Sequence, residues 1–291
     1  MTRTLDAPAK INLTLEILGL RPDGYHELRM VMQSVSLCDR VTVTLGGLGG
    51  CVALRMTPAG LPEDARNLAY RAAEHFFRAA ALPRRDVEIC VEKRIPAAAG
   101  LAGGSADAAA VLRALNELTD ARLSPEELAA LSLPLGADLP FCVLGGTRLA
   151  CGVGERLSPL PPMPDCGLLL CTPDFPCPTG AVFGAYDAAP VHTYPDTERL
   201  AAALARGDLE EIASGCANDL EPVVEAGHPE IGEIRRVMLE AGALGARMSG
   251  SGATVYGIFR EEEGLRRAEA LLRARYARTF AARPANSAPR G

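Results

Sequence analysis

The sequence is short of positive charge. Across 291 residues, 30 Lys and Arg stand against 36 Asp and Glu, a net charge of −6 with His neutral. An acidic surface repels phosphate backbones, so nucleic acid is not an expected partner. Long apolar runs are missing too: none approaches the roughly 18 residues a membrane helix needs. The N-terminal "MTRTLDAPAKINLTLEIL" carries Asp6 and Lys10 where a secretory signal needs an unbroken apolar stretch. No membrane partner is expected, and the expected location is cytoplasmic. Metal-binding spacings are lacking as well. There are nine Cys but no CxxC, and His26, His75, His192 and His228 form no HxxxH, which argues against a structural zinc site. Cysteines in apolar runs such as "CGLLLC" (166–171) read as small core residues in a reducing compartment. No internal repeat is evident.

What is present is an ordinary globular composition, 48% hydrophobic and 23% charged, in a chain long enough for about two domains. "AKINLTLEI" alternates: Ile11, Leu13, Leu15 and Ile17 fall on one face, Lys10, Asn12, Thr14 and Glu16 on the other, the pattern of a half-buried strand. "RPDGYH" (21–26) is a turn, and "MVMQSVSL" and "VTVTL" (41–45) read as two further strands. Leu68, Ala72, His75, Phe76 and Ala79 recur at helical spacing in 67–82, and "DVEICVEKRIP" alternates as a strand closed by Pro96. A helix is expected over about 106–118. "SPEEL" opens another, with Ser124 as N-cap, Pro125 at N1 and Glu127 at N3. The proline-rich "LSPLPPMPDCG" (157–167) marks a boundary between domains 1–160 and 161–291. Beyond it the reading is a strand at 166–171, helices near 179–187, 196–215 and 228–242, a strand at 253–259, a helix at 261–275 and a short last strand. That order suggests a split βαβ, α+β unit. The tail "RPANSAPRG" is expected to be disordered.

The stretch "RIPAAAGLAGGSADAAA" holds the most chemistry. Strand, Pro96, glycine loop, Ser105 and helix come in an order that points backbone N–H groups and a helix N-terminus at one concave site, which attracts an anion. Ser105 can cap the helix or bond a phosphate, and Asp107 suits the helix dipole or faces a ligand. The spacing is neither GxxxxGK[ST] nor GxGxxG. On pattern alone a phosphate-binding loop competes with a plain strand-to-helix turn. "MSGSGATVYGIF" (248–259), with glycines before a strand, reads by itself as a tight turn.

Together, "APAKINLTLEI", "PAAAGLAGGSADAA" and "MSGSGATV" resemble the three motifs of the GHMP kinases (galacto-, homoserine, mevalonate and phosphomevalonate kinases), and they span residues 7–255. Ala102 and Ala106 stand where glycine and serine are common. The resemblance implies an α+β, two-domain GHMP kinase fold: an N-terminal ribosomal-protein-like β/α domain that binds ATP and a C-terminal ferredoxin-like α+β domain. It implies transfer of the ATP γ-phosphoryl group to a hydroxyl of a small-molecule substrate. The stretches "AKINLTLEILGLRPDGYHEL" and "LGADLPFCVLGG" resemble members whose substrate is a cytidine diphosphate conjugate. Mg²⁺ should accompany ATP, with no protein ligand assigned.

Carried onto this sequence, the resemblance makes Lys10 the catalytic lysine and Asp138 the general base; unaided, Lys10 reads as a solvated strand lysine and Asp138 as a helix N-cap. The ATP loop is Pro96, Ala97, Ala98, Ala99, Gly100, Leu101, Ala102, Gly103, Gly104, Ser105 and Ala106. Asn12, Tyr25, His26, Thr179 and Phe183 are the substrate contacts, with Tyr25 and Phe183 as aromatic walls around a cytosine that His26 reads. "CP" before Thr179 replaces a more usual Val-Ser. Phe183 unaided is core filler, and Asn67 either caps its helix or lies near adenine. The "GSG" of 250–252 shapes the cleft floor.

Overall fold

The computed structural model describes residues 1–189 and 195–286. Its first sheet is built on two long antiparallel strands, β1 (Thr2–Leu20) and β2 (His26–Leu48), joined by the 21–25 turn and paired along their whole lengths. β2 serves two partners. Its C-terminal half pairs with β4 (Arg85–Glu92), which pairs in turn with the parallel β3 (Val52–Thr57); its N-terminal half pairs with β5 (Thr147–Gly152), which continues through β6 (Arg156–Pro159). The two strands expected between 30 and 45 are therefore one. The polar "CDR" between them is no turn, because Asp39 is fully buried and its carboxylate accepts from the backbone N–H groups of Arg94 (2.5 Å) and Ile95 (2.8 Å).

β1 is buried on both faces. Lys10, Asn12 and Thr14 are as hidden as Ile11 and Leu13, which corrects the expectation of a half-solvated strand. Alternation reveals two kinds of neighbour; here the second is a polar cleft rather than bulk water.

α1 (Leu68–Ala79) and α2 (Gly103–Leu118) cover this sheet. α1 buries Ala69, Ala72, Ala73, Phe76 and Phe77, an i, i+3, i+4, i+7, i+8 stripe rotated by one residue from the expected one. Asn67 caps it, accepting from the Ala69 N–H at 2.9 Å. α2 starts at Gly103, earlier than expected, and its alanines let it lie close against β1 and α1. α3 (Pro125–Ser132) has the capping box read from its sequence: Ser124 N–H donates to Glu127 Oε2 (2.8 Å) and Glu127 N–H to Ser124 Oγ (3.2 Å). The short α4 (Leu139–Leu144) and strands β3, β5 and β6 had no expected counterpart.

The second sheet has the order β11-β7-β10-β9, all antiparallel, from β7 (Gly167–Cys171), β9 (Gly245–Met248), β10 (Val255–Phe259) and β11 (Thr279–Ala282). Between β7 and β9 run α5 (Thr179–Ala188), α6 (Thr197–Arg206), α7 (Leu209–Gly215), the two-residue β8 (Ala217–Asn218), α8 (Glu221–Gly227) and α9 (Glu230–Glu240); α10 (Glu262–Arg273) joins β10 to β11. The helix expected at 196–215 meets a break, whereas that expected at 228–242 is present as α9 and is preceded by α8, which had no expected counterpart. Gly207 ends α6 in the left-handed region and Asp208 caps α7, while α8 stops before His228 and α9 begins at Glu230. Of the tail expected to be disordered, 283–286 is tied down: Arg283 and Ala285 exchange backbone bonds with Ser36 and Ser34, and Pro284 bridges Val35. Residues 287–291 lie outside the described residues.

The sheets change over between Pro159 and Gly167, within the proline-rich segment, yet the chain is stitched across that point. β8 pairs in parallel with β1 at Thr14 and Leu15. Tyr256 of β10, fully buried, donates its hydroxyl to the Asn12 carbonyl at 3.0 Å. Tyr256→Phe should therefore lower unfolding free energy by about 1 kcal/mol, the net worth of one buried hydrogen bond. Urea denaturation checks it, and an unchanged midpoint would remove this bond from the set that joins the sheets.

Candidate active site

A cleft of about 990 Å³ opens where β1, the 96–102 loop, α4, α5 and the 249–252 turn converge. Its glycine loop has left-handed residues at every second position: Ala98 (φ 50°), Gly100 (φ 76°) and Ala102 (φ 55°). Alternation of this kind turns successive amides toward one side and forms an anion-binding nest. α2 follows with no side chain on its first amides, so its dipole adds to the same site. Ser105 therefore does not cap α2; the cap position is Ala102. Among the loop residues singled out in the sequence, Ala98, Ala99, Gly100, Ala102, Gly103, Gly104 and Ser105 line the cleft; Pro96, Ala97, Leu101 and Ala106 do not. Leu101 and Ala106 are core residues.

The loop is clamped from two sides. Lys10 N–H donates to the Leu101 carbonyl (3.1 Å) and Thr254 N–H to that of Ala99 (3.3 Å). Ser249 Oγ accepts from Asn12 N–H (3.2 Å) and donates to the Gly100 carbonyl (2.9 Å). Gly100 is both left-handed and in close approach: a Cβ there would collide with the Ser249 carbonyl oxygen.

Behind the loop, Lys93 bridges two buried carboxylates, pairing with Asp39 and with Asp107 at 2.7 Å. Asp107 is 2% exposed, does not line the cleft, and leaves Oδ1 without a partner. Burial pushes its carboxyl up to about 8; the Lys93 ammonium opposes this and the Asp39 charge adds to it. Asp107 thus faces neither ligand nor solvent but props the loop from below.

At the centre lie Lys10, Asn12 and Asp138. The Lys10 ammonium, its side chain 6% exposed, donates to Asn12 Oδ1 at 2.7 Å and stands 4.0 Å from Asp138 Oδ2. Asp138 occupies the cap position of α4, but its side chain makes no capping bond; the carboxylate is 39% exposed and lines the cleft. An ammonium and an accessible carboxylate beside an anion nest suit proton removal from a hydroxyl near a phosphate.

At the other end are Tyr25, His26, Thr179 and Phe183. Phe183 stacks on the His26 ring with centroids 4.8 Å apart and lines the cleft, while also packing against the core. Tyr25 is 66% exposed and its ring stands apart from this pair. Thr179 Oγ1 meets Ser251 Oγ at 3.1 Å; of the 250–252 turn, Gly250 and Ser251 line the cleft and Gly252 does not. Asn67 is outside the lining, though Leu68 is in it. Ser249 and Asp187 were missed in the sequence. Ser249 lies within "MSGSGATV", of which only the Gly-Ser-Gly was singled out, and Asp187 is four residues past Phe183, a helical spacing that could have flagged it.

Models of the GHMP kinases N terminal domain and GHMP kinases C terminal match residues 67–146 and 200–278. A 4-diphosphocytidyl-2-C-methyl-D-erythritol kinase of Pelotomaculum thermopropionicum is 47% identical over 96% of this chain and 95% of its own. One of Synechococcus sp. is 49% identical over 88% and 84%. A crystal structure of 4-(cytidine 5'-diphospho)-2C-methyl-D-erythritol kinase superposes with a TM-score of 0.81 at 40% identity, covering 98% of this chain and 99% of that one. A homoserine kinase from Cytophaga hutchinsonii, TM-score 0.74 at 18% identity, shares the fold.

Two predictions follow from the loop and its prop. Ala102 carries the cost of a left-handed non-glycine residue, so Ala102→Gly should raise stability by about 0.5–1 kcal/mol, measured by thermal unfolding; a lower Tm would show that its methyl packing outweighs the strain. Asp107 holds a proton when folded that it releases when unfolded, since its pKa rises from 3.8 to about 8. Its contribution is complete below about pH 4 and is lost as pH rises toward 8. Asp107→Asn removes that slope, so the variant should gain on the wild type steadily from acid to about pH 8; parallel stability–pH curves would refute the buried proton.

Proposed function

The chain belongs to the GHMP kinases, a family of ATP-dependent phosphotransferases, and on that premise we propose that it moves the γ-phosphoryl group of ATP to the 2-hydroxyl of 4-(cytidine 5'-diphospho)-2-C-methyl-D-erythritol, in the non-mevalonate route to isoprenoid precursors. The observation that carries this reading is one cleft holding an amide nest, a Lys10–Asp138 pair and a His26–Phe183 stack in that order. Phosphate, reacting hydroxyl and base each meet a suitable wall.

In this reading the ATP phosphates lie on the 98–105 amides. Asp138 takes the hydroxyl proton, and Lys10 balances charge on the carboxylate and on the phosphoryl group in flight. Asn12 orients Lys10 through their 2.7 Å bond. The base sits by His26 and Phe183 with Tyr25 as an outer wall, and Thr179 meets the substrate. Positioning supplies most of the acceleration, because phosphoryl transfer asks little covalent chemistry of the protein. Mg²⁺ neutralises phosphate charge when it arrives with ATP. Among the described residues no group of three or more His, Cys, Asp or Glu is placed to hold a metal, and no protein ligand is assigned. The described residues contain no helix long and apolar enough to cross a membrane; the reading places the enzyme in the cytoplasm.

The test is ADP release with this acceptor, run beside homoserine, mevalonate and phosphomevalonate. Turnover is expected on the cytidine substrate alone. Asp138→Asn should lower kcat about 10²- to 10⁴-fold, the usual weight of a general base, with ATP affinity unchanged. Turnover on another acceptor would keep the kinase and discard the cytidine pocket; a retained rate in the variant would unseat Asp138.

A further inference from the structure

One helix face of α5 surrounds the His26 ring. Phe183 covers a face of it, Tyr186 meets it edge-on (centroids 6.3 Å, 86°), and Asp187 Oδ1 lies 2.8 Å from Nε2. These are positions i, i+3 and i+4 of one stripe. The His26 side chain is only 10% exposed, and it stands on the first residue of β2, a rigid element. Among the described residues no protein group bonds its Nδ1. Both ring orientation and tautomer are therefore set from α5, since the hydrogen bond at one imidazole nitrogen decides what the other can do.

We infer that Asp187 is a positioning residue that makes the site selective for an amino-pyrimidine. The inference rests on the cytidine reading above. Asp187 accepts the Nε2–H bond, and Nδ1 is left as a lone-pair acceptor. An acceptor pairs with an exocyclic amino group, as on cytosine, and faces lone pair to lone pair against the carbonyl that uracil carries there. A site built around such a bond rejects the base that cannot make it more strongly than it would reject a difference in shape alone. Without Asp187 the ring takes either tautomer and turns to suit either base.

The experiment uses the whole chain with CMP and UMP as competing probes, beside kinetics on the cytidine substrate. The wild type should favour CMP over UMP by about tenfold or more, the weight of one hydrogen bond. Asp187→Ala should raise KM for the cytidine substrate by about tenfold, leave kcat within about twofold, and bring the two nucleotides within about threefold of each other. Asp187→Asn should recover part of the preference, because the amide oxygen still accepts from Nε2–H. Nitrogen-detected NMR of His26 should show the Nε2–H tautomer in the wild type and a mixture in Asp187→Ala. Unchanged KM and CMP preference in Asp187→Ala, or an Nδ1–H tautomer in the wild type, overturns the assignment while the cytidine reading stands. A wild type that binds neither nucleotide and does not turn over the cytidine substrate overturns the cytidine reading and this inference with it.

Discussion

The hydroxyl of Ser249 holds the site together. It accepts from the Asn12 amide on β1 and donates to the Gly100 carbonyl in the loop, while buried within the turn that precedes β10. Three segments separated by about ninety and then a hundred and fifty residues thereby meet at one oxygen. A buried hydroxyl satisfied in both roles is worth more than its energy, because it fixes a register that apolar packing would leave free to slide. Lys10 is the beneficiary. Its own amide is bonded to Leu101 and its ammonium to Asn12, so the charge that faces Asp138 is set by the same crossing of strand, loop and turn that shapes the anion nest. Nest and ammonium share one clamp, and neither can shift alone.

A clamp of this kind explains why strain persists in the loop. Ala98 and Ala102 hold left-handed conformations that cost roughly 1–2 kcal/mol each for an L residue. Nothing local favours that, and glycine would remove the cost. The conformation is imposed from outside, by the carbonyls of Ala99, Gly100 and Leu101, all of them taken by other segments, and by the Asp39–Lys93–Asp107 prop beneath. Loops bound so completely keep their shape before a ligand arrives, which spares binding the cost of ordering them.

Local patterns were legible in the sequence wherever backbone chemistry decides them. The capping box at Ser124, Asn67 as a cap, the alternation of β1 and the loop ahead of α2 all follow from residue type and spacing over a few positions. What could not be read depends on distant partners. Asp39 looked like a break between two strands because its three donors lie some fifty-five residues on. Lys10 looked solvated because its neighbours, Leu101 in the loop and Asp138 before α4, lie about ninety and about one hundred and thirty residues on. β5 and β6 lack clean alternation; β5 pairs with the near half of β2 while β4 takes the far half, and β6 pairs with β5. The candidate site was legible through three motifs taken together, which individually read as a strand, a loop open between phosphate binding and a plain turn, and a tight turn. Asp187 and Ser249 gain meaning only once His26 and Gly100 are seen against them.

Asp138 shows how the same position is contested between stability and chemistry. It stands at the N-cap of α4, where an Asp side chain ordinarily bonds the N2 or N3 amide and adds about 0.5–2 kcal/mol. Here it makes no such bond. The carboxylate turns instead to the cleft and the Lys10 ammonium, 4.0 Å away, a gap too long for a strong ion pair. Capping would satisfy one amide but would spend the lone pairs a proton acceptor needs. A tight pair with Lys10 would occupy those lone pairs in the same way. The observed arrangement forgoes both gains. A side chain left under-bonded in an otherwise well-satisfied structure stays open to a partner from the cleft, and in the proposed reaction that partner is the substrate hydroxyl.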